Sequence, residues 1–265
     1  MTRLLLLAPA GLNAFQLAVV RHLLARRGGD IVGCLIDDRR PEALRRKAVR
    51  HLRRGRGGYT LVLAARVVAR PLRRCREPAV RIDGLIEGIG VSIIRSAEPY
   101  GDETIEALKR LRPDVLLLIG GFGIVKEPLL TLAPAGVLSY HHGDMRRYRG
   151  QPAGFWELYN GEPSMGVTIQ RLAAGIDCGE PILERQYEIR ADDSLQSLMS
   201  RVYAASSDML LEALQRVETG ASPLTLETLG RVYTLPNLRQ WLAFRCRVAA
   251  RRTRARTRSH LAPGP

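Results

Sequence analysis

Apolar and polar positions alternate along the chain with two different periods. Arg3–Ala8 is a short apolar run ending at Pro9 and Gly11, which predicts a buried strand. From Phe15 the apolar residues recur at helical spacing, with Phe15, Leu17, Val19, Val20, Leu23 and Leu24 inward. Asn13 is placed to cap that helix, and Gly28 and Gly29 to stop it after Arg27. Ile31–Ile36 reads as a second strand, and strand, helix and strand at this spacing predict a right-handed βαβ unit. A second unit follows, with Val91–Ile94 a strand, Glu103–Leu111 a helix and Asp114–Ile119 a fully buried strand. Gly136–His141, Gly166–Leu172 and Ile182–Ile189 read as further strands, and Ala153–Tyr159 as a helix. Asp193 or Ser194 caps one long amphipathic helix to Glu218, with Leu195, Leu198, Val202, Met209, Leu210, Leu214 and Val217 inward. The fold class is α/β: a Rossmann-like, open, mostly parallel sheet with flanking helices.

Two stretches depart from this pattern. Arg39–Pro78 reads as two basic helices separated by GRGG at Gly55–Gly58. The second is either packed on the core or a membrane-surface or partner-binding helix. Thr219–Gly230 reads as a linker, and the basic helix after it fades into a disordered end. The organisation is therefore a core domain over residues 1–220 with a basic insertion at 39–78, then a linker and basic tail over 221–265. The net charge of +15 lies in these two stretches: Arg39–Arg76 holds one acid, Glu42, and none follows Glu227. They are either solvated basic faces or surfaces for a polyanion such as RNA, anionic lipid or a nucleotide.

The chain of 265 residues is long enough for one large core, and no run reaches the length of a membrane span. The opening MTRLLLLAPAGLNAF mimics a signal peptide, but its apolar run is short and flows into a helical pattern, so we read a buried first strand. Cys34, Cys75, Cys178 and Cys246 are scattered, with neither zinc spacing nor a disulfide framework, which fits a reducing cytoplasm and no metal. A P-loop, a GxGxxG turn and a GxSxG elbow are all missing.

Groups able to do acid–base work cluster in two loops, Ser139–Asp144 and Gly175–Glu180. The first lies at the carboxyl end of a predicted strand, where open α/β sheets place their sites. Neighbours on a strand point to opposite faces, so at most one of His141 and His142 is expected to face a given pocket. An Asp between glycines, as in GIDCG, is also an ordinary turn former.

These segments resemble the folate-dependent formyltransferases. The family pattern runs approximately N-x-H-x-S-L-L-P-x-Y-R-G, then N-G-E, G-V-T-I and G-I-D-x-G. This chain reads SYHHGDMRRYRG at Ser139–Gly150, NGE at Asn160–Glu162, GVTI at Gly166–Ile169 and GIDCG at Gly175–Gly179. The resemblance implies that His141 and Asp177 are the catalytic pair, with Ser139 where the family has asparagine. It implies a folate pocket lined by Gly121, Phe122, Gly123, Ile124, Val125, Gly175 and Ile176. Gly11 and Asn13, in a loop opening a helix, and Arg149 and Gly150 are the implied substrate contacts. The implied reaction is attack by a substrate amine on the formyl carbon of 10-formyltetrahydrofolate, a cosubstrate, with no metal. The oxyanion that forms needs preorganised donors. Protonated His141 is one, its pKa raised by Asp177, which also steers the amine proton. Serine offers one rotatable O–H where asparagine offers an amide, and DMR at Asp144–Arg146 replaces LLP in a loop that often touches the amine.

Three kinds of acceptor are compatible with these residues. The 45 residues from 221 to 265 are too few for the barrel of full-length methionyl-tRNA formyltransferases. AGLNA at Ala10–Ala14 matches the phosphate loop of glycinamide ribonucleotide formyltransferases only weakly, with Pro9 lacking an amide to donate. An amino sugar on a nucleotide, or another biosynthetic amine, is the third option. Two other readings share the fold: a formyltetrahydrofolate hydrolase, and a non-catalytic protein whose basic segments bind RNA (tRNA included) or an anionic membrane surface.

Overall fold

The computed structural model describes residues 2–25, 29–39, 49, 53 and 80–261. The basic insertion expected at 39–78, including the helix after Gly58, lies almost wholly outside them.

In chain order the elements are β1 (Thr2–Pro9), β2 (Gly11–Leu12), α1 (Ala14–Ala25), β3 (Gly29–Asp37), β4 (Val80–Arg81), α2 (Ile82–Ile86), β5 (Ser92–Ser96) and α3 (Asp102–Arg110). They continue with β6 (Val115–Leu118), β7 (Val137–His141), β8 (Tyr148–Gly150), α4 (Phe155–Asn160), β9 (Ser164–Arg171) and β10 (Glu180–Glu188). The last are α5 (Leu195–Ser206), α6 (Met209–Glu218), β11 (Arg231–Tyr233) and α7 (Leu238–Leu261). The main sheet has seven strands in the order β10-β9-β7-β6-β1-β3-β5. β5, β3, β1, β6 and β7 run parallel. The β9–β10 hairpin joins β7 antiparallel.

The first strand is interior to the sheet, between β6 and β3, and its side chains divide between two cores. Leu4, Leu6 and Ala8 pack with α1, α5 and α6, while Leu5 and Leu7 pack with Ile105 and Leu108 of α3. A period of two in an uninterrupted apolar run is what a strand buried on both faces requires. Strand order reverses beside β1, between β3 and β6, so a crevice opens at the carboxyl ends of β1 and β6. Asn13 accepts from Gln16 N at 2.9 Å, and Gln16 Oε1 accepts from Asn13 N at 3.0 Å, a reciprocal cap that starts α1 at the crevice.

The helix expected to run unbroken to Glu218 is two helices. Tyr140, on β7, sends its hydroxyl into the ladder: it donates to Ser206 O at 2.7 Å and accepts from Leu210 N at 3.0 Å. Those two backbone groups would bond each other in a continuous helix, so the phenol splits α5 from α6. Ser194, rather than Asp193, caps α5, in a capping box with Ser197. Among the described residues, α7 stays helical to Leu261 and does not fade earlier. It is fastened by Phe244, whose ring stacks on Phe155 with centroids 4.3 Å apart, and by Arg247, which donates to Tyr159 O at 2.6 Å.

Candidate active site

A cavity of about 1280 Å³ occupies the crevice. It is lined by the start of α1, the segments after β6 and β7, the 172–177 loop, α5 and the chain at Val232–Leu235. Ser139, His141 and Asp177 all line it, and so do Gln170, His142 and Tyr203.

His141 ends β7 and is buried. Its Nδ1 lies 3.3 Å from Asp177 Oδ2. Its Nε2 lies 2.7 Å from Tyr148 O. A carbonyl only accepts, so Nε2 carries a hydrogen. A carboxylate also only accepts, so with Asp177 ionised Nδ1 carries one as well, and the ring is an imidazolium. Burial alone would lower the His141 pKa, but the hydrogen bond and charge of Asp177 outweigh it and raise the pKa above the ordinary histidine value. Burial would likewise raise the Asp177 carboxyl, yet His141, the Gly150 N–H and the Gln170 amide together hold it below the usual carboxylate range.

Besides His141, two further donors hold the carboxylate, and among the described residues Oδ1 keeps an acceptor site free. Gly150 N donates to Oδ2 at 2.8 Å, and Gln170 Nε2 donates to Oδ1 at 3.2 Å. Gln170 Oε1 meanwhile accepts from Gly179 N at 3.1 Å, which fixes the end of the same loop. Asp177 has φ 44°, a left-handed conformation that costs a non-glycine residue energy and is sustained by these partners. Gly143 makes the other half possible: a Cβ there would lie 2.6 Å from His141 Nε2 and 2.7 Å from Tyr148 O.

His142 belongs to another environment. Its ring stacks on Tyr140 at 5.4 Å and meets Phe15 and Tyr203 edge-on at 5.1 and 4.8 Å. Burial and the charge of His141 push its pKa down to about 3, so the ring is neutral. Its Nε2 is shut off from solvent with no hydrogen-bond partner among the described residues. Strand alternation does separate the two histidines, but both touch the cavity. This corrects the expectation that only one would face it: the cavity wraps round the end of β7, and His142 lies just beyond the strand.

The other expected site residues divide. Gly123, Ile124, Val125, Gly175, Ile176, Asn13 and Gly150 line the cavity. Ile124 and Ile176, both in the lining, are 55% and 44% exposed. Gly121, Phe122, Gly11 and Arg149 lie outside the lining. Gly121 packs on Pro9, where a Cβ would lie 2.9 Å from the proline ring, and Phe122 is buried in the α3-side core. Gly11 pairs with Arg81. Arg149 donates to Ile176 O at 2.8 Å and to Gly230 O at 3.1 Å. The DMR turn also faces away from the cavity, with Met145 fully buried and Arg146 paired to Glu184 at 2.6 Å. Ser139 Oγ donates to Tyr140 O at 3.3 Å.

Sequence reasoning missed four contributors. The Tyr148 carbonyl is main chain and has no residue signature. Gln170 and the buried Glu157 sit in apolar runs that read only as packing. Burial raises the Glu157 carboxyl to about 7, beside the charge of His141. The fourth is the chain at Val232–Leu235, which lines the cavity from the expected tail. The NGE motif acts at one remove: Tyr148 Oη donates to Glu162 at 2.6 Å and accepts from Asn160 at 2.9 Å.

A mostly parallel α/β sheet with a His–Asp pair at its switch-point crevice sets the class of architecture. The formyl transferase family model matches residues 58–214, and the chain belongs to that family. It is 35% identical over 161 residues to the methionyl-tRNA formyltransferase of Anaeromyxobacter dehalogenans, covering 59% of this chain and 51% of the relative. The chain thus spans about half the length of the relatives it matches. Among solved structures it is similar in fold to glycinamide ribonucleotide transformylase 1 from Symbiobacterium toebii. The TM-score is 0.56 and the identity 20%, covering 88% of this chain and 95% of that one. A formyltetrahydrofolate deformylase from Pseudomonas syringae has TM-score 0.57 and identity 16%, covering 87% and 66%. Among the described residues no helix is long and apolar enough to cross a membrane, and no group of three or more His, Cys, Asp or Glu could hold a metal.

Proposed function

We propose that this protein transfers a formyl group from 10-formyltetrahydrofolate to a substrate amine, with His141 and Asp177 as the catalytic pair. The observation that carries the reading is the His141–Asp177 pair, closed by Tyr148 O and Gly150 N, on the wall of a cavity of about 1280 Å³. The apolar, partly exposed walls at Ile124 and Ile176 fit a flat heteroaromatic donor.

In this reading the donor supplies the activated formyl carbon, and the chain supplies charge and proton handling. The His141 cation faces the formyl oxygen as negative charge develops there, in a site where burial strengthens the attraction. Nε2–H is spent on Tyr148 O in the free protein. Donation to the formyl oxygen therefore requires the ring to share or leave that carbonyl, while its charge acts in either position. Ser139 is the second donor. Its 3.3 Å contact is long for an O–H···O bond, so the hydroxyl rotates toward the cavity at little cost. Asp177 favours the cationic ring and takes up the amine proton through water; as the tetrahedral intermediate collapses, the bond from the formyl carbon to N10 breaks and that proton returns through the water to N10 of the leaving tetrahydrofolate.

The methionyl-tRNA formyltransferases that resemble this chain are named for an aminoacyl-tRNA acceptor. The described lining of this cavity contains no Lys or Arg. We infer that the described part of the lining meets an uncharged portion of the acceptor, such as an amino sugar beside its amine. Phosphate or nucleic-acid contacts then fall on α7, which carries arginines and no acid from Arg239 to Arg258 and starts three residues after Leu235.

The test is an amine panel (amino sugars, nucleotide amino sugars, aminoacyl-tRNA) with 10-formyltetrahydrofolate and mass detection of formyl addition. Formylation of one amine that vanishes with His141→Ala supports the reading. Formate release independent of every amine, or no turnover with salt-sensitive RNA binding, would overturn it.

A further inference from the structure

Strand β8 is only three residues long, yet each residue does one job for the pair. The carbonyl of Tyr148 accepts from His141 at 2.7 Å. The Arg149 guanidinium donates through Nε and Nη2 to the carbonyl of Ile176, at 3.2 and 2.8 Å, and so holds the peptide leading into Asp177. The N–H of Gly150 donates to the Asp177 carboxylate at 2.8 Å. A strand this short has little stability of its own, so something must hold it in place.

What holds it is chain beyond the family match, which ends at residue 214. Leu224 N donates to Pro181 O at 2.7 Å, Arg146 to Thr225 O at 3.1 Å, and Gly230 N to Met145 O at 2.9 Å. β11 then pairs parallel with β8, Arg231 opposite Tyr148, Val232 opposite Arg149 and Tyr233 opposite Gly150. Gln151 N donates to Tyr233 O at 3.1 Å, and Trp156 Nε1 to Thr234 O at 3.2 Å. The Tyr233 ring packs between Tyr148 and Trp156, at 5.2 and 5.0 Å. Two glycines permit the approach: a Cβ on Gly150 would lie 2.1 Å from Tyr233 O, and one on Gly230 would lie 2.6 Å from the Arg147 backbone. Beyond the pairing, Val232–Leu235 form one wall of the cavity.

We propose that the 224–235 segment is a working part of the site, and that Arg149 is a positioning residue that ties the Asp177 loop to it. Arg149 Nη1 on Gly230 O and Nη2 on Ile176 O make one guanidinium the bridge between the two. Its planar fork suits two carbonyls at once, as an ammonium does not. Its significance for catalysis rests on His141 and Asp177 being the acid–base pair, but its test needs no turnover.

The experiment is an NMR titration of the His141 imidazole in the full chain, for wild type and for Arg149→Met, Arg149→Lys and Gly230→Ala, each checked for fold by circular dichroism. The expected result is a His141 midpoint that moves down toward the ordinary histidine range in Arg149→Met and Gly230→Ala. Arg149→Lys falls between. Where transfer is measurable, kcat falls on the order of 10²-fold in Arg149→Met with KM little changed, the signature of a misplaced group. An unchanged midpoint in folded Arg149→Met, or in Arg149→Lys and Gly230→Ala where the Met variant does not fold, overturns the proposal. A shifted midpoint with no formyl transfer to any amine sustains the proposal and removes the reading of function instead.

Discussion

Two adjacent histidines at the end of β7 live in opposite chemical worlds. His141 has an acceptor facing each nitrogen, and its pKa is raised above the ordinary histidine value. His142 is boxed by Phe15, Tyr140 and Tyr203, has a buried unpartnered Nε2 among the described residues, and is held neutral. Both are removed from water, so desolvation does not separate them. The Asp177 carboxylate, with lesser help from Tyr148 O and Glu157, raises the His141 pKa, while His142 has no such partner among the described residues and is lowered further by the charge of His141. Burial sets the cost and the partner sets the sign.

The contrast breaks most completely at the pair itself. His141→Ala and Asp177→Asn are each expected to cut formyl transfer by roughly 10²–10⁴-fold, the span of acid–base groups acting in the transition state, while His142→Phe leaves far more activity. Steady-state rates on the acceptor found by the amine panel check this. Stability follows the same division. The raised His141 pKa contributes stability that is full below its unfolded value of 6.5 and is lost as pH rises through the folded value. The lowered Asp177 pKa contributes stability that is full above its unfolded value of 3.8 and is lost as pH falls through the folded value. Wild type should therefore exceed Asp177→Asn most between those two values, as denaturant melts across pH will show.

His142→Phe sharpens the other side. It removes a buried unpartnered nitrogen, a defect that costs about 1–3 kcal/mol, and keeps the ring among rings. The depressed His142 pKa means that wild type loses stability as pH falls from 6.5 toward about 3. The variant's advantage should grow in acid and shrink above neutrality. The smallest effect belongs to Glu157→Gln. A carboxyl raised to about 7 favours the folded state below its unfolded value and ceases to do so as pH rises through 7. The variant should gain on wild type as pH rises from 4.5 to about 7, by at most about 1.4 kcal/mol per pH unit, and hold that gain unchanged in alkali.

The sheet was legible because its strands are apolar runs of strand length, and the short β1 run, though it mimics a signal peptide, flows into a helical pattern. The break between α5 and α6 was not legible, because its cause is a tyrosine hydroxyl arriving from β7, far away in the chain. β11 escaped for a different reason. Three half-exposed residues, RVY, carry no periodicity, and the parallel partner that makes them a strand is set by Gly150 and Gly230. His141 and Asp177 stood out by their place in a family-like pattern, and the structure brings them to 3.3 Å. Arg149 stood in the same pattern as a substrate contact, but its guanidinium is occupied by two carbonyls. The Tyr148 carbonyl was invisible, since a backbone acceptor leaves no mark on residue identity. Gly143 was its one visible trace, as the small residue beside two histidines.

The central claim is that Asp177 keeps His141 doubly protonated at the cavity wall. Nitrogen NMR of the histidine-labelled protein near neutral pH tests it directly. The account predicts imidazolium shifts at both His141 nitrogens in wild type and a neutral ring in Asp177→Asn. A neutral His141 tautomer in wild type, with the same spectrum in Asp177→Asn, would contradict it.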